Sequence, residues 1–381
     1  MKVPARAALA AALVLGLTGA AAAPALAHPR AAPVTAVDAP SDRPDGTALR
    51  DAIKGLPDAD ATAALVRVGG TDGTWRGSAG VHDLVTHRKA DPHGRFRAGS
   101  VTKIVTAAVA LQLAAEGRLD LDKPVQHYMP GLFTGDFEPI PVRSLLNYTS
   151  GLKPGDGFDD EFAHRYDTLD PRTVVDSAVA KGPEHSPGDE QHYRNIGYTV
   201  LGLLIEKVTG DTYAHQAKVR IFEPLRMRDT YFPGTDPRIR GPHNRGYQQM
   251  KQADGTTRLV DVTEWNQYDR FAAGDMISST ADLEVFTRAL FGGDILPEPQ
   301  LKEMLTVPEK IKGAVFGAGL QRMRIGDRMV WLKTGARYGY STIIAATEDG
   351  RRTLVHSVNA TDAKAEGMNP VAERIARAAL G

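Results

Sequence analysis

Hydrophobic and polar positions divide the chain into three stretches of different rhythm. The first opens with a short helical pattern over 49–56. Two strand-like runs, 61–68 and 73–80, follow it, and the Gly-Gly-Thr-Asp-Gly between them predicts a hairpin. This stretch ends in an almost unbroken apolar helix from Ser100 to Glu116, with Gly117 in the usual place of a left-handed cap. From Leu119 to about Phe271, short helical patterns at 141–147, 171–180, 196–208 and 213–221 are separated by Pro and Gly, and no strong strand alternation stands out. The last stretch returns to strands at 315–324, 328–333, 341–347 and 353–359 and closes on a helix over 370–380 that starts with Pro370.

Two early and about four late strands predict one antiparallel sheet assembled from both ends of the chain and flanked by helices, with an all-α lobe inserted between them. The fold class is therefore α/β with a helical lobe. Residues 46–120 and 272–381 would form the sheet domain and 121–271 the lobe. The apolar helix falls at their junction in sequence, and clefts between lobes are favoured active-site positions.

Composition removes several alternatives. The 46 basic and 46 acidic side chains cancel, so no overall field draws the chain to nucleic acid or an anionic membrane. With no cysteine among 381 residues, disulfides, thiolate metal sites and cysteine catalysis are excluded. The N-terminus carries Lys2 and Arg6, an Ala/Leu/Val-rich run over 7–23, and Ala25-Leu26-Ala27 before His28, which is the pattern of a cleavable signal peptide over 1–27. A Pro/Ala/Asp-rich linker over 28–45 follows, and a secreted protein, free of the membrane after cleavage, is expected.

Candidate chemistry starts at Ser100-Val101-Thr102-Lys103. Residues three apart share a helix face, so Lys103 stands beside Ser100, and the helix N-terminus favours an anion there. The spacing alone proves little, because Ser150-Gly151-Leu152-Lys153 repeats it where Gly151 and Pro154 break any helix. Two further patterns single out the first copy. Tyr193-Arg194-Asn195 immediately precedes a helical run, and Lys333-Thr334-Gly335 ends a predicted strand. No Ser-His-Asp arrangement is evident, so the base for Ser100 is Lys103 or Tyr193. For Tyr193 to be half ionised at pH 7 its pKa must fall about three units, a cost of about 4 kcal/mol. One ammonium about 4 Å away supplies roughly that at an effective dielectric near 20. Two lysines nearby leave the choice open.

Taken in this order and on these elements, the three motifs resemble the serine β-lactamase and penicillin-binding superfamily, whose signature includes S-x-x-K and K-T-G. The Tyr-x-Asn form is similar to the class C-like branch, which includes secreted D-alanyl-D-alanine carboxypeptidases and related esterases. The resemblance extends over about 45–380. It includes the segment from Gln112 to Asp122 and Leu145-Leu146-Asn147-Tyr148-Thr149-Ser150-Gly151-Leu152, where relatives usually have His in place of Tyr148. It implies an acyl-enzyme at Ser100, with Lys103, Tyr193 and Lys333 in the catalytic group. Asn195, Thr334 and Gly335 would line the substrate, and the backbone N–H groups of Ser100 and Ala336 would form the oxyanion hole.

The chain also departs from the carboxypeptidases. The arginine that anchors their substrate's terminal carboxylate aligns with Gln321, and the hydroxyl residue after Lys-Thr-Gly is Ala336. Arg337 is the preferred substitute anchor, because strand alternation turns Arg322 away from Gln321. The resemblance thus implies first a D-alanyl-D-alanine carboxypeptidase. An esterase or β-lactamase of the same fold, or a penicillin-binding cell-wall protein that acylates without turnover, are the alternatives. Partners would be a small peptide, ester or β-lactam substrate, a peptidoglycan stem peptide among them, and the chain itself is expected to be a monomer. No cofactor and no metal are expected, and His82 and His87 read as a surface pair. Trp265 and Tyr268 read equally as core or cleft residues, and Arg351-Arg352 as a solvated turn.

Overall fold

The computed structural model describes residues 43–252 and 254–381. The expected signal peptide over 1–27, and all but the last residues of the expected linker over 28–45, lie outside the described residues. Asp45 accepts the N–H groups of Thr47 (2.8 Å) and Ala48 (3.1 Å), capping α1 (Gly46–Ala52). The chain continues through β1 (Ala61–Gly69), β2 (Trp75–Gly80), β3 (Phe96–Arg97), a single 3-10 turn (Gly99–Val101) and α2 (Thr102–Ala115). Next come α3 (Val125–Tyr128), α4 (Val142–Leu146), α5 (Pro171–Ala180), α6 (Ile196–Thr209) and α7 (Tyr213–Ala217). The remainder is β4 (Tyr247–Lys251), β5 (Thr257–Asp261), β6 (Ile277–Ser278), α8 (Thr280–Phe291), α9 (Glu298–Met304), β7 (Gln321–Ile325), β8 (Arg328–Arg337), β9 (Tyr340–Thr347), β10 (Thr353–Ala360) and α10 (Pro370–Leu380).

The fold is mixed α/β, with a six-stranded sheet in the order β2-β1-β10-β9-β8-β7, every pairing antiparallel. The two ends of the chain meet in its middle, where Leu65 lies opposite Ser357 and Ala61 opposite Ala360. Successive residues of a strand face opposite sides, and here both sides are covered. Ile343 of β9 joins Leu49, Val66, Leu354, Ile375 and Leu380 in a core beneath α1 and α10. Its neighbour Ile344 belongs to the larger core built around α2 and the helices between β2 and β7. From Thr102 to Leu111 every residue of α2 is buried, which marks a helix enclosed on all sides. It packs against α6, α7 and α9.

Three sequence expectations need correction. The strand expected over 315–324 begins only at Gln321, because Gly317 N–H closes a turn onto Leu320 O (2.9 Å) with Gly319 at φ 84°. A hairpin, β4–β5, occupies the stretch in which no strand pattern stood out. Its second strand is almost wholly exposed, so no apolar alternation marks it. Arg351-Arg352 is not simply solvated: Arg352 is buried, and both side chains reach Asp72. Among the described residues no helix is long and apolar enough to cross a membrane.

Candidate active site

Two glycines bring β8 onto the start of α2. A Cβ on Gly335 would lie 2.0 Å from Ala98 O and 3.2 Å from Ser100 N, and one on Gly99, whose φ is +52°, would lie 2.6 Å from Ala336 N. Neither position has room for a side chain. The backbones carrying Ser100 N and Ala336 N are thereby held against each other. Strand β7 pairs only with 328–332 of β8, so the edge of 333–337 is left without a strand partner among the described residues. Thr334 and Ala336 are exposed along it, and Gln321 opens β7 opposite Leu332, one residue from Lys333.

Ser100 sits in the 3-10 turn rather than in the α-helix proper, and Lys103 follows one turn later, fully buried. Lys103 Nζ is 3.0 Å from Ser100 Oγ, 2.8 Å from Asn195 Oδ1 and 2.6 Å from Ala273 O. The carbonyl of Ala273 is aimed there by a segment zipped along α2: Met276 N donates to Thr102 Oγ1, Thr106 Oγ1 donates to Ala272 O, and Ala98 N donates to Met276 O. Burial, then the neighbouring Lys333 and Arg270, push the Lys103 amine well below its ordinary pKa. The Lys333 amine is likewise lowered by burial, to about 7, and donates to Thr334 O (2.8 Å). No sequence signal pointed to Ala273, since only its backbone takes part.

Tyr193 lies between the two lysines, with its ring centroid 5.1 Å from Lys103 Nζ and 4.7 Å from Lys333 Nζ. Its hydroxyl is buried and turned toward Ser100 without a well-formed hydrogen bond, and burial raises its pKa. Two full ammonium charges are not available to ionise it, since burial lowers the pKa of both lysines as well. Tyr148, in the left-handed region at φ 64°, packs its ring tilted against that of Tyr193 (4.9 Å between centroids) and edge to face with Phe316 (5.0 Å). Gln191, which the sequence reading missed, fixes this wall. Its amide donates to Asn147 O (2.8 Å) and Phe316 O (2.9 Å), and its Oε1 accepts from Val315 N and Phe316 N.

Arg337 corrects the sequence expectation most directly. It is 2% exposed, bonded through Nε to Gln267 Oε1 (3.0 Å) and through Nη2 to Asp269 Oδ1 (2.8 Å). Asp269 also meets Arg270, which pairs with Glu161. A guanidinium spent on an internal carboxylate is not a free anchor for a substrate's carboxylate. Trp265 is core, stacked 4.3 Å from Tyr338. The second Ser-x-x-Lys is dispersed, with Lys153 Nζ bonded to Lys181 O and Gly151 at φ 70°. Two cavities, of about 240 Å³ beside Glu138 and His185 and about 630 Å³ beside His215 and Tyr231, include none of the residues around Ser100.

The family model described as Beta-lactamase matches residues 49–377. A solved structure of a D-stereospecific amidohydrolase from Streptomyces sp. superposes with a TM-score of 0.74 at 33% identity, covering 87% of this chain and 98% of that one. D-amino acid amidase from Ochrobactrum anthropi SV3, complexed with L-phenylalanine amide, gives a TM-score of 0.74 at 27% identity over 87% and 97% of the two chains. Penicillin-binding protein 4* of Bacillus subtilis (strain 168) is 28% identical over 76% of this chain and 66% of its own length. Protein flp of Staphylococcus aureus (strain MW2) is 32% identical over 54% of this chain, and the match spans only 40% of its length. The chain belongs to the Beta-lactamase family, within the superfamily of serine hydrolases that holds penicillin-binding proteins and D-amino acid amidases.

Proposed function

We propose that the chain is an exported acyl-enzyme amidohydrolase in which Ser100 attacks the carbonyl of a D-aminoacyl amide. The observation that carries this reading is the surroundings of Lys103 Nζ. Ala273 O and Asn195 Oδ1 are acceptors, so a neutral amine donates its two N–H groups to them and directs its lone pair at the Ser100 hydroxyl. Burial favours that form by pushing the amine well below its ordinary pKa. Lys103 is then the base: its nitrogen takes the Oγ proton as Oγ bonds to the carbonyl carbon. The N–H groups of Ser100 and Ala336 stabilise the oxyanion. As the carbon–nitrogen bond breaks, the leaving amine takes a proton from the Tyr193 hydroxyl, and Lys103 returns one to it. Water repeats the sequence on the ester and frees Ser100.

The substrate class follows from what surrounds this centre. Gln321 and Ala336 occupy the positions of the missing anchors, and Arg337 is tied to Asp269. A leaving group without a carboxylate is the better fit, in keeping with the amidases among the relatives, and D-alanyl-D-alanine carboxypeptidase activity becomes secondary. Export rests on the signal pattern over 1–27. The test compares ammonia release from D-phenylalanine amide and L-phenylalanine amide with D-alanine release from a diacyl-Lys-D-Ala-D-Ala peptide. Faster turnover of the D-amide is expected, with Ser100→Ala lowering kcat at least about ten-thousandfold. Preferred turnover of the peptide would restore the carboxypeptidase reading. Absence of any Ser100 adduct with substrate or penicillin by intact mass would end the acyl-enzyme reading.

A further inference from the structure

The loop leading to Tyr193 carries Glu184, His185 and His192, whose candidate ligand atoms all lie within 4.8 Å of one another. Its backbone is fastened at three points: Glu184 N to Gly151 O (2.7 Å), Gly188 N to Thr149 O (2.8 Å) and His192 N to Tyr148 O (2.9 Å). The three side chains therefore project from a fixed frame. Glu184 and His185 also line the cavity of about 240 Å³, whose wall includes the carboxylates of Asp136 and Glu138.

The hydrogen bonds of the two histidines decide where their lone pairs face. His185 Nδ1 is 2.9 Å from Ser186 O, which can only accept, so Nδ1 holds the hydrogen and Nε2 is left as the donor atom. His192 Nε2 is 2.9 Å from Glu190 Oε2, which assigns the hydrogen to Nε2 and the lone pair to Nδ1. That Nδ1 is buried and makes no hydrogen bond, yet it stands 3.3 Å from Glu184 Oε2. A lone pair facing a carboxylate oxygen is repulsive unless a cation lies between them. Two ligands about 2.0 to 2.1 Å from a tetrahedral zinc ion are themselves about 3.3 Å apart. Arg194 Nη2 holds Glu184 Oε1 at 2.9 Å and reaches Oε2 only at 3.4 Å, and the two imidazole rings stand edge to face, 5.1 Å between centroids. A carbonyl and a carboxylate behind the two histidines are the outer partners usual for metal-binding imidazoles.

We propose that Glu184, His185 and His192 form a binding site for a zinc-class divalent cation that fastens the loop carrying Tyr193 and Asn195. Two imidazoles and one carboxylate favour zinc over calcium or magnesium, with water completing a four-coordinate ion. The bare rival is a doubly protonated His192 bridging Glu184 and Glu190. The site does not depend on the substrate assigned to Ser100.

The experiment uses the chain from residue 28 onward, free of any histidine tag and stripped with chelator. Zinc chloride is titrated by calorimetry, and cobalt chloride by visible absorption. One-to-one uptake is expected, with the absorption of tetrahedral cobalt and a rise in thermal midpoint. His185→Ala and His192→Ala should each weaken binding more than about a hundredfold, and Glu190→Gln about tenfold, as an outer partner does. Circular dichroism in metal-free buffer shows that each variant is folded. Absence of one-to-one uptake, or uptake unchanged in both histidine variants, overturns the site in favour of the protonated His192.

Discussion

Burial in and beside this site displaces the proton affinity of two side chains, Asp275 and Lys333, with opposite consequences for stability. Asp275, 4% exposed and 3.3 Å from the Tyr213 hydroxyl, has its carboxyl pushed up to about 7 by burial. Its folded value lies above the unfolded one, so the folded state binds more protons between about pH 4 and 7, and stability is lost as pH rises through that window. Lys333 is depressed to about 7, so the unfolded state binds more protons above pH 7, and stability is regained from pH 7 toward 10.5. Asp275→Asn should therefore gain stability over wild type progressively from pH 4 to 7, by a few kcal/mol at most. Lys333→Met should gain most below pH 7, with the gain fading by about pH 10. Urea melts across pH measure both, and a gain that does not vary with pH would refute the assignment. At this scale the serine, both lysines, Tyr193 and Asn195 were legible because each belongs to a short motif. Ala273 and Gln191 were not, since one acts through its backbone and the other through contacts with a distant loop.

Among the elements, the contact between β8 and the start of α2 matters most for the site. A Cβ at residue 335 would collide with Ala98 O, a backbone atom that cannot rotate away. Gly335→Ala should separate the amides of Ser100 and Ala336. A loss of kcat of at least about a hundredfold is expected, as for removal of one oxyanion donor, with KM changed far less. Steady-state kinetics with the D-amide, beside the thermal midpoint, test this; unchanged kcat in a folded variant would show that the strand yields. Sequence periodicity located β1, β2, α2, α5 and α10 well, because each buries a continuous face or carries a Pro or Gly boundary. It misjudged β7 and missed the β4–β5 hairpin, whose second strand is almost wholly exposed and leaves no apolar period to read. The role of Arg337 failed for another reason: strand alternation tells which face a side chain takes, not that Asp269 already waits there.

For the whole molecule, the sheet divides the interior into two cores with different duties. One surrounds α2 and the acylation centre, and the other lies beneath α1 and α10. Ile375, fully buried on α10, belongs to the second. Ile375→Ala should cost about 2–5 kcal/mol in a denaturant melt while leaving kcat and KM within about twofold of wild type, since Ile375 lies in the core beneath α1 and α10 and not in the one around α2. A matching fall in kcat below the melting range would show that the cores act as one. The antiparallel sheet was foreseeable from the count of strands at each end of the chain, whereas the enclosure of α2 on every side required the helices of the middle segment to be placed.

The meeting of β1 with β10 also sets the order in which this protein comes into being. Partners such as Leu65 and Ser357 are almost three hundred positions apart in the chain, and pairings so remote form slowly because a long loop must close first. The turn bearing Ser100 emerges from the ribosome early, but the strand that presses against it lies beyond residue 327. During synthesis Ser100 and its own N–H are therefore present long before Ala336, and the proposed oxyanion hole is completed only as the final strands arrive.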